Sequence, residues 1–498
     1  MTASAHRHNL YTVDQVRALD LRAIETLGIP GYELMRRAAW AGLSSLRRHW
    51  PQLGRIAVYC GPGNNGGDGF LLAALAREEG LQVELFALGA ESGGDAALAR
   101  TAYEASGGRV LHWDEQSSLP NVELHVDALY GTGLRRAPEP AVAVLIERIN
   151  ASGVPVLALD VPSGLNADTG HCPGAAIRAS VTVSFIAAKR GLHTGHAAEQ
   201  VGIVELDTLG LPDELWRGSS ADAVLLQVQS LPPRARYAHK GDNGHVLAIG
   251  GNHGTAGAVR LCAEAALRAG AGLVSVATQV GNLVGLNSAR PELMAHAVNG
   301  PQAVTPLIER ATVLAVGPGL GQGAWGHALW LTALDSDKPL VLDADGLNLL
   351  ALESRRFVQP AVLTPHPGEA ARLLGITTKE VELDRFAAVR ALAQRYGAVV
   401  VLKGAGSLIS DPDGRLAVCP WGNPGMASGG MGDLLTGIIA ALLAQGLTPW
   451  QAACLGVGLH ARAGDEAAQA GERGLIASDL LMPLRQLLNA QPFDGPGL

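Results

Sequence analysis

Along this chain short apolar runs alternate with longer stretches in which apolar side chains recur at three- and four-residue intervals. The runs "RIAVYC", "VELFAL", "VELHVDAL", "VPVLALDV" and "SVTVSFIA" are strand-like, short and rich in β-branched and apolar residues. Between and before them the period is helical. Thr12 and Gln15 stand at capping-box spacing ahead of a periodic stretch, which predicts a helix over 12–28, and a second helix over about 31–48 follows Pro30. Strand and helix in repeated alternation, joined by short Gly-rich links, predict a doubly wound α/β sheet over residues 1–212.

The alternation breaks at "SSADAVLLQVQSLPPRARYAHKGDNG", where a Pro pair and turn residues predict a linker over 213–235. It restarts with "HVLAIGG", "GLVSVAT", "ATVLAVGPG", "PLVLDADG", "AVLTPH" and "AVVVLKG", and ends in apolar-periodic helices from 430 to 487. The second domain is therefore expected over 236–490. No self-similarity of repeat length relates the halves, so they are two different α/β domains.

Composition narrows the class. A chain of 498 residues with 48% hydrophobic and 17% charged side chains has ample material for two or three folded cores. The net charge of −8, with no long basic run, argues against a nucleic-acid partner. Five scattered cysteines, Cys60, Cys172, Cys262, Cys419 and Cys454, show no C-x-x-C pair, which points to a reducing compartment and away from structural zinc. The first residues lack a signal-peptide core, and "LLTGIIAALLA" at 434–444 is shorter than the roughly 20 residues a bilayer span needs. A soluble, cytoplasmic protein with no membrane partner is expected. Lysine occurs at five positions only, so a lysine inside a motif carries weight.

The chemistry gathers at predicted strand ends, where doubly wound sheets hold their ligands. "CGPGNNGGDG" places Gly61, Gly63 and Gly66 in G-x-G-x-x-G spacing, but interleaves them with Asn64, Asn65 and Asp68. Such a turn offers amide and carboxylate oxygens as well as N–H groups, which suits a polar ligand and a cation. "DALYGTGL" and "DVPSGLNADTG" end two further strands with the same mixture. In any one loop the glycines could serve turns and the Asp a helix cap; three at matching ends indicate a site. In the second half, "NPGMASGGMGDLLTG" runs a Gly-rich loop into a helix with Asp433 at its start. That arrangement suits phosphate, although Asp433 could also be a simple cap. No Gly-Lys pair of P-loop type accompanies it.

"NNGGDG", "VDALYGTG" and "DVPSGLNADTG" together resemble the amino-terminal domain of the NAD(P)H-hydrate epimerases, over about 10–210. The resemblance implies a Rossmann-like domain with potassium held by Asn65, Asp127 and Ser163. It also implies substrate contacts at Asn64, Asn65, Gly66, Gly67 and Asp68, at Gly131, Thr132, Gly133, Leu134, Arg135 and Arg136, and at Asp160. Asp160 is the candidate acid/base group at C6 of the hydrated nicotinamide, with Lys189 either supporting it or merely a surface lysine.

"GGMGD" resembles the G-x-G-D element of ribokinase-like kinases, and "HKGDNGHVLAIGGNHGTAGA", "VGPGLGQG", "LDADGLN", "TPHPGEAARLLG" and "VVVLKGAGSLI" are similar to the ADP-dependent NAD(P)H-hydrate dehydratases, over about 236–490. The resemblance implies contacts to the hydrated substrate at Ala258, Gly319, His366 and Asp433 and to ADP at Lys403, Gly404, Ala405, Gly406, Ser407 and Gly432, with Glu369 organising magnesium. Met431 stands where that family more often has Ser, and Ser407 where it often has Thr. Asp433 is expected to be the catalytic base. The implied small molecules are NADHX, NADPHX and ADP, handled by a homo-oligomer that epimerises the R and S hydrates and dehydrates the S form to NAD(P)H. The competing expectation is an ATP-dependent vitamin or sugar kinase fused to a nucleotide-binding module.

Overall fold

Thr12 caps the first helix as its spacing predicts: its side chain accepts the Gln15 N–H and the Gln15 side chain accepts the Thr12 N–H. In the computed structural model, which describes residues 8–89, 93–116, 118–134, 136–228 and 231–489, the chain divides into two units, Met1–Val224 and Leu225–Leu498. The division falls inside the stretch 213–235. Leu215 and Trp216, within the same stretch, are buried in the first unit's core.

The first unit runs β1 (Asn9–Tyr11), α1 (Val13–Glu25), α2 (Gly31–His49), β2 (Arg55–Cys60), α3 (Asn64–Glu78), β3 (Gln82–Ala87), α4 (Gly94–Ala105), β4 (Val110–His112), β5 (Leu124–Ala128), α5 (Pro140–Ala151), β6 (Val156–Leu159), β7 (Val181–Phe185), β8 (Ala188–Lys189), α6 (Ala197–Gln200), β9 (Ile203–Asp207) and β10 (Ala223–Leu225). Its main sheet has the order β4-β3-β2-β5-β6-β7-β9, every pair parallel. The unbroken apolar run Ile56–Cys60 has a simple cause. Ile56, Val58 and Cys60 of β2 enter one core, whereas Ala57 and Tyr59 enter another on the opposite face, because successive strand side chains point to opposite faces. β1 lies outside this sheet, parallel to β8 and antiparallel to β10.

The second unit runs β11 (His245–Ile249), α7 (Ala256–Arg268), β12 (Leu273–Thr278), α8 (Leu283–Ala289), β13 (Met294–Ala297), α9 (Pro301–Arg310), β14 (Val313–Val316), α10 (Ala324–Leu334), β15 (Leu340–Leu342), α11 (Asp345–Leu352), β16 (Ala361–Leu363), α12 (Pro367–Leu374), α13 (Thr378–Leu383), α14 (Arg385–Tyr396), β17 (Val399–Leu402), β18 (Leu408–Ser410), β19 (Leu416–Val418), α15 (Met431–Ala444), α16 (Pro449–Ala467) and α17 (Leu481–Asn489). Strands β13-β12-β11-β14-β15-β16-β17 are parallel neighbours, and β18 and β19 continue the order antiparallel, which the apolar runs did not announce.

The most apolar segment of the chain is α15. It is buried because it packs on α7, α16 and the sheet at once, the expected fate of a helix apolar all round. Gly437 permits this: a Cβ there would stand 2.0 Å from the Cys262 carbonyl oxygen of α7. Among the described residues no helix is long and apolar enough to cross a membrane.

Candidate active sites

Beyond the carboxyl ends of β2, β5 and β6 the first unit encloses a cavity of about 800 Å³. Asn64, Asn65 and Asp68 reach it from the start of α3, Gly131, Thr132, Gly133, Leu134 and Arg136 from the segment after β5, and Asp160 and Lys189 from β6 and β8. Gly66 and Gly67 are not in the lining. They serve packing instead: a Cβ on Gly66 would stand 1.8 Å from the Gly61 carbonyl oxygen, and one on Gly67 2.6 Å from Met35 Sδ. Arg135 lies outside the described residues. Gly131 lets the loops meet, since a Cβ on it would stand 3.3 Å from Asp160 Oδ2 and 3.5 Å from Asn65 Cγ.

Lys189 is no surface lysine. Its side chain is 1% exposed, and its ammonium donates to Asp160 Oδ1 (2.5 Å), Phe185 O (2.7 Å) and Ser184 Oγ (3.1 Å), which uses all three protons. Asp160 is held in the left-handed region at φ 64°, with its own N–H on Val183 O. Four described non-glycine residues have positive φ: Asp160, Ile186 and Leu209, all lining this cavity, and Ala344 in the second unit. Strain of this kind costs roughly 1–3 kcal/mol per residue and persists where surrounding structure imposes it. Here it marks the two sites.

Beneath the cavity, Asp127 at the end of β5 accepts the Ser163 N–H (2.7 Å) and hydroxyl (2.6 Å) and the Leu129 N–H (3.1 Å). Burial pushes its carboxyl up to about 6 against those hydrogen bonds. Both polar atoms of the Asn65 side chain are buried without a hydrogen-bond partner. A buried primary amide left unpaired is costly. The Asn65 amide oxygen, the Asp127 carboxylate and the Ser163 hydroxyl are all oxygen donors, a chemistry that suits a hard monovalent cation.

In the second unit the centre is Asp343, at the end of β15 and 1% exposed. Lys403 donates to its Oδ1 (2.7 Å) and Thr436 of α15 to its Oδ2 (2.9 Å). Burial alone would raise this carboxyl, but the Lys403 ammonium and the bonds from Lys403, Thr436 and Thr364 hold it below the ordinary Asp value. Lys403 also stands 3.9 Å from Glu369 Oε2. Burial opposes its charge, yet Asp343 and Glu369 keep its pKa raised. Burial pushes Glu369 up to about 7, with Lys403 opposing and Asp343 assisting.

Gly432 closes over this group. A Cβ there would meet Lys403 Nζ at 3.1 Å and Asp343 Oδ2 at 3.4 Å. Gly430, left-handed at φ 94°, begins α15 without a side-chain cap, so the first N–H groups of the helix remain free for a ligand and Asp433 is not a capping residue. Burial and the Asp343 charge push Asp433 up to about 7, against Lys403. His366 caps α12, accepting the Gly368 N–H on Nδ1, while its own N–H donates to Glu369 Oε2. Ala258 and Gly319 meet through Thr255, whose carbonyl accepts the Ala258 N–H and whose hydroxyl donates to Gly319 O (2.8 Å). The turn Lys403–Ser407 is gripped from below by Arg385, which donates to the Leu402 and Lys403 carbonyls, and is closed by the Ser407 hydroxyl on Gly404 O. Met431 sits in the apolar core, so the usual hydroxyl is replaced there by packing.

Asp343, Thr436, Arg385 and, in the first cavity, Asp20 escape a reading of the sequence. Asp343 alone left a signal, in the strand-to-helix turn "LDADGLN". Among the described residues no three His, Cys, Asp or Glu side chains stand close enough to hold a metal ion.

Residues 31–191 match the family described as YjeF-related protein N-terminus, and residues 246–485 match that described as NAD(P)H-hydrate dehydratase. The chain is 49% identical over 487 residues to a bifunctional NAD(P)H-hydrate repair enzyme of Coxiella burnetii, covering 96% of this chain and 99% of that protein. Its counterpart in Escherichia coli is 44% identical over 498 residues, covering 98% of this chain and 95% of that one. An ADP/ATP-dependent NAD(P)H-hydrate dehydratase from Bacillus subtilis, crystallised with ATP and Mg²⁺, is 29% identical with a TM-score of 0.47, covering 52% of this chain and 93% of that one.

Proposed function

The chain belongs to the family of bifunctional NAD(P)H-hydrate repair enzymes, epimerase and dehydratase in one polypeptide, and we propose that the first unit's cavity is the epimerase site and the Asp433 cradle the dehydratase site. The observation that carries the assignment is Asp433 itself. It is an uncapping carboxyl at the first turn of α15, poised at about 7, beside free helix N–H groups and the Lys403–Asp343 pair. A group that must take a proton near neutral pH works best with such a pKa.

In the dehydratase unit Asp433 takes the proton of the C6 hydroxyl as that oxygen attacks the β-phosphorus of ADP. The N–H groups of 429–432 face the charge on the transferring phosphoryl, and Lys403 to Ser407 hold the nucleotide. The product phosphate ester leaves far more readily than hydroxide. The ring nitrogen lone pair expels it as inorganic phosphate, and loss of a C5 proton restores the dihydropyridine, leaving AMP. His366, Ala258 and Gly319 hold the hydrated dinucleotide so that one C6 configuration faces Asp433. Magnesium, when bound, neutralises phosphate charge, with Glu369 as its acidic anchor.

In the epimerase unit Asn64, Asp68, Gly131 to Arg136 and the cavity wall hold the substrate. Asp160, oriented by Lys189 and Phe185, moves the proton at C6. Asn65, Asp127 and Ser163 would hold potassium, which when bound fixes the loops that carry the substrate contacts. ADP is the donor implied by the dehydratase resemblance of the second half. The test is to incubate the purified protein with mixed hydrate epimers and ADP. Both epimers should disappear as NAD(P)H absorbance rises, with AMP and phosphate formed one for one. Turnover on purified ATP with ADP as product would overturn the choice of donor, and a phosphorylated organic product the dehydratase reading.

A further inference from the structure

Helix α1 presents Val16, Arg17, Asp20 and Ile24 to the first cavity, one face of the helix at spacings of one, three and four. Asp20 is the acidic member of that face. Asp160 reaches the same cavity from a different wall, the end of β6. We propose, building on the assignment of this cavity to epimerisation, that Asp20 and Asp160 form a pair of acid/base groups that serve the two faces of the hydrated nicotinamide ring.

Inversion at C6 requires that oxygen leave from one face and return to the other. Asp20 donates its proton to the C6 hydroxyl. The C6–O bond breaks with its electron pair on oxygen, which departs as water, and the ring nitrogen lone pair forms the C6=N iminium bond. A water on the opposite face adds to C6 through oxygen and gives its proton to Asp160. One proton has left Asp20 and one has arrived on Asp160, and exchange with solvent resets both. The reverse direction exchanges their roles. Two carboxyls in one site, one kept protonated and one kept ionised, are the usual way to run both halves of such a reaction.

The charges around the cavity divide the two in this sense. Lys189 spends its three protons on Asp160, Ser184 and Phe185. Asp20 has no such hydrogen bond from Lys189, and burial, with the Asp160 charge, raises its pKa against the attraction of Lys189. The charged groups that share the cavity with Asp20 are Arg17 on its own helix and Asp68, Asp95, Arg136, Asp160 and Lys189 from other elements. Asp68 is the rival acid. It is buried deeper, and burial with Asp160 and Asp20 raises it further, so it can hold a proton but gives it up reluctantly.

The experiment measures R-to-S interconversion by chromatography on the full-length protein, with spontaneous interconversion subtracted, across pH, for wild type and for Asp20→Asn, Asp20→Glu and Asp68→Asn. Asp20→Asn should lower the rate on the order of 10²- to 10⁴-fold with little change in KM, and should lack the fall in rate at high pH that wild type shows. Asp20→Glu should restore most of both. S-form dehydration should be unchanged in every variant, which also reports that the chains are folded. An Asp20→Asn rate within a few-fold of wild type overturns the pair. So does a high-pH fall that survives in Asp20→Asn and disappears in Asp68→Asn, which would make Asp68 the acid. If wild type itself does not interconvert the epimers, the underlying assignment of the cavity fails, a result distinct from both.

Discussion

The Lys403 ammonium stands 2.7 Å from Asp343 Oδ1, across 60 residues of sequence, and is the positive charge around which the second site is built. Removing it by Lys403→Met leaves the Asp343 carboxylate buried with only hydroxyl donors, Thr436 and Thr364. Breaking a buried pair in this way costs about 3 to 5 kcal/mol. Asp343 is depressed in the folded state, so its pairing stabilises above the unfolded-state pKa of about 4 and is lost as pH falls through the lower folded value. Denaturant unfolding should thus show the deficit in full at pH 7, and one that shrinks progressively as pH falls below about 4.

Asp433→Asn keeps the size of the side chain and cannot accept the hydroxyl proton. Dehydration of the S form should fall about 10²- to 10⁴-fold, roughly 3 to 5 kcal/mol of barrier. Nucleotide binding, read by calorimetry, should persist because the 403–407 turn is untouched. R-to-S interconversion should continue at the wild-type rate. Dehydration within a few-fold of wild type would show that another base acts.

Because Asp433 must be ionised to act and is pushed up to about 7, the dehydration rate should rise about tenfold per pH unit at acid pH and level off above neutrality. A profile flat from pH 5 to 8 with chemistry rate-limiting would remove Asp433 from the proton transfer.

A chain that begins at Leu225, the first residue of the second unit, should clear the S hydrate and then stall on the R form. Equal clearance of both would place epimerisation elsewhere.

Exchange of potassium for tetramethylammonium should slow R-form repair while S-form repair changes less, since Asn65, Asp127 and Ser163 belong to the first unit alone. Asn65→Ala should abolish that ion dependence. An equal effect on both reactions would disconnect the ion from these residues.

The sequence carried the parts that local chemistry decides. Short apolar runs told of strands, Thr12 and Gln15 told of a helix start, and glycines mixed with Asn and Asp singled out the loops that line the first cavity. Asp433, Asp160 and Asn65 each sit inside a compact motif, which is why the sequence singles them out. The antiparallel strands β18 and β19 were hidden by their shortness, since strands of three residues make no periodic pattern.

What only the tertiary structure decided are the charges brought together from afar. Asp343 meets Thr436 across 93 residues and Lys403 across 60, and Asp20 belongs to the first cavity because α1 forms part of its wall. No local rule marks an aspartate on an amphipathic helix, or one at a strand end, as different from its neighbours. Its role is set by burial and by the charges that the fold places around it. Those same two quantities move Asp433, Glu369 and Asp20 up and Asp343 down.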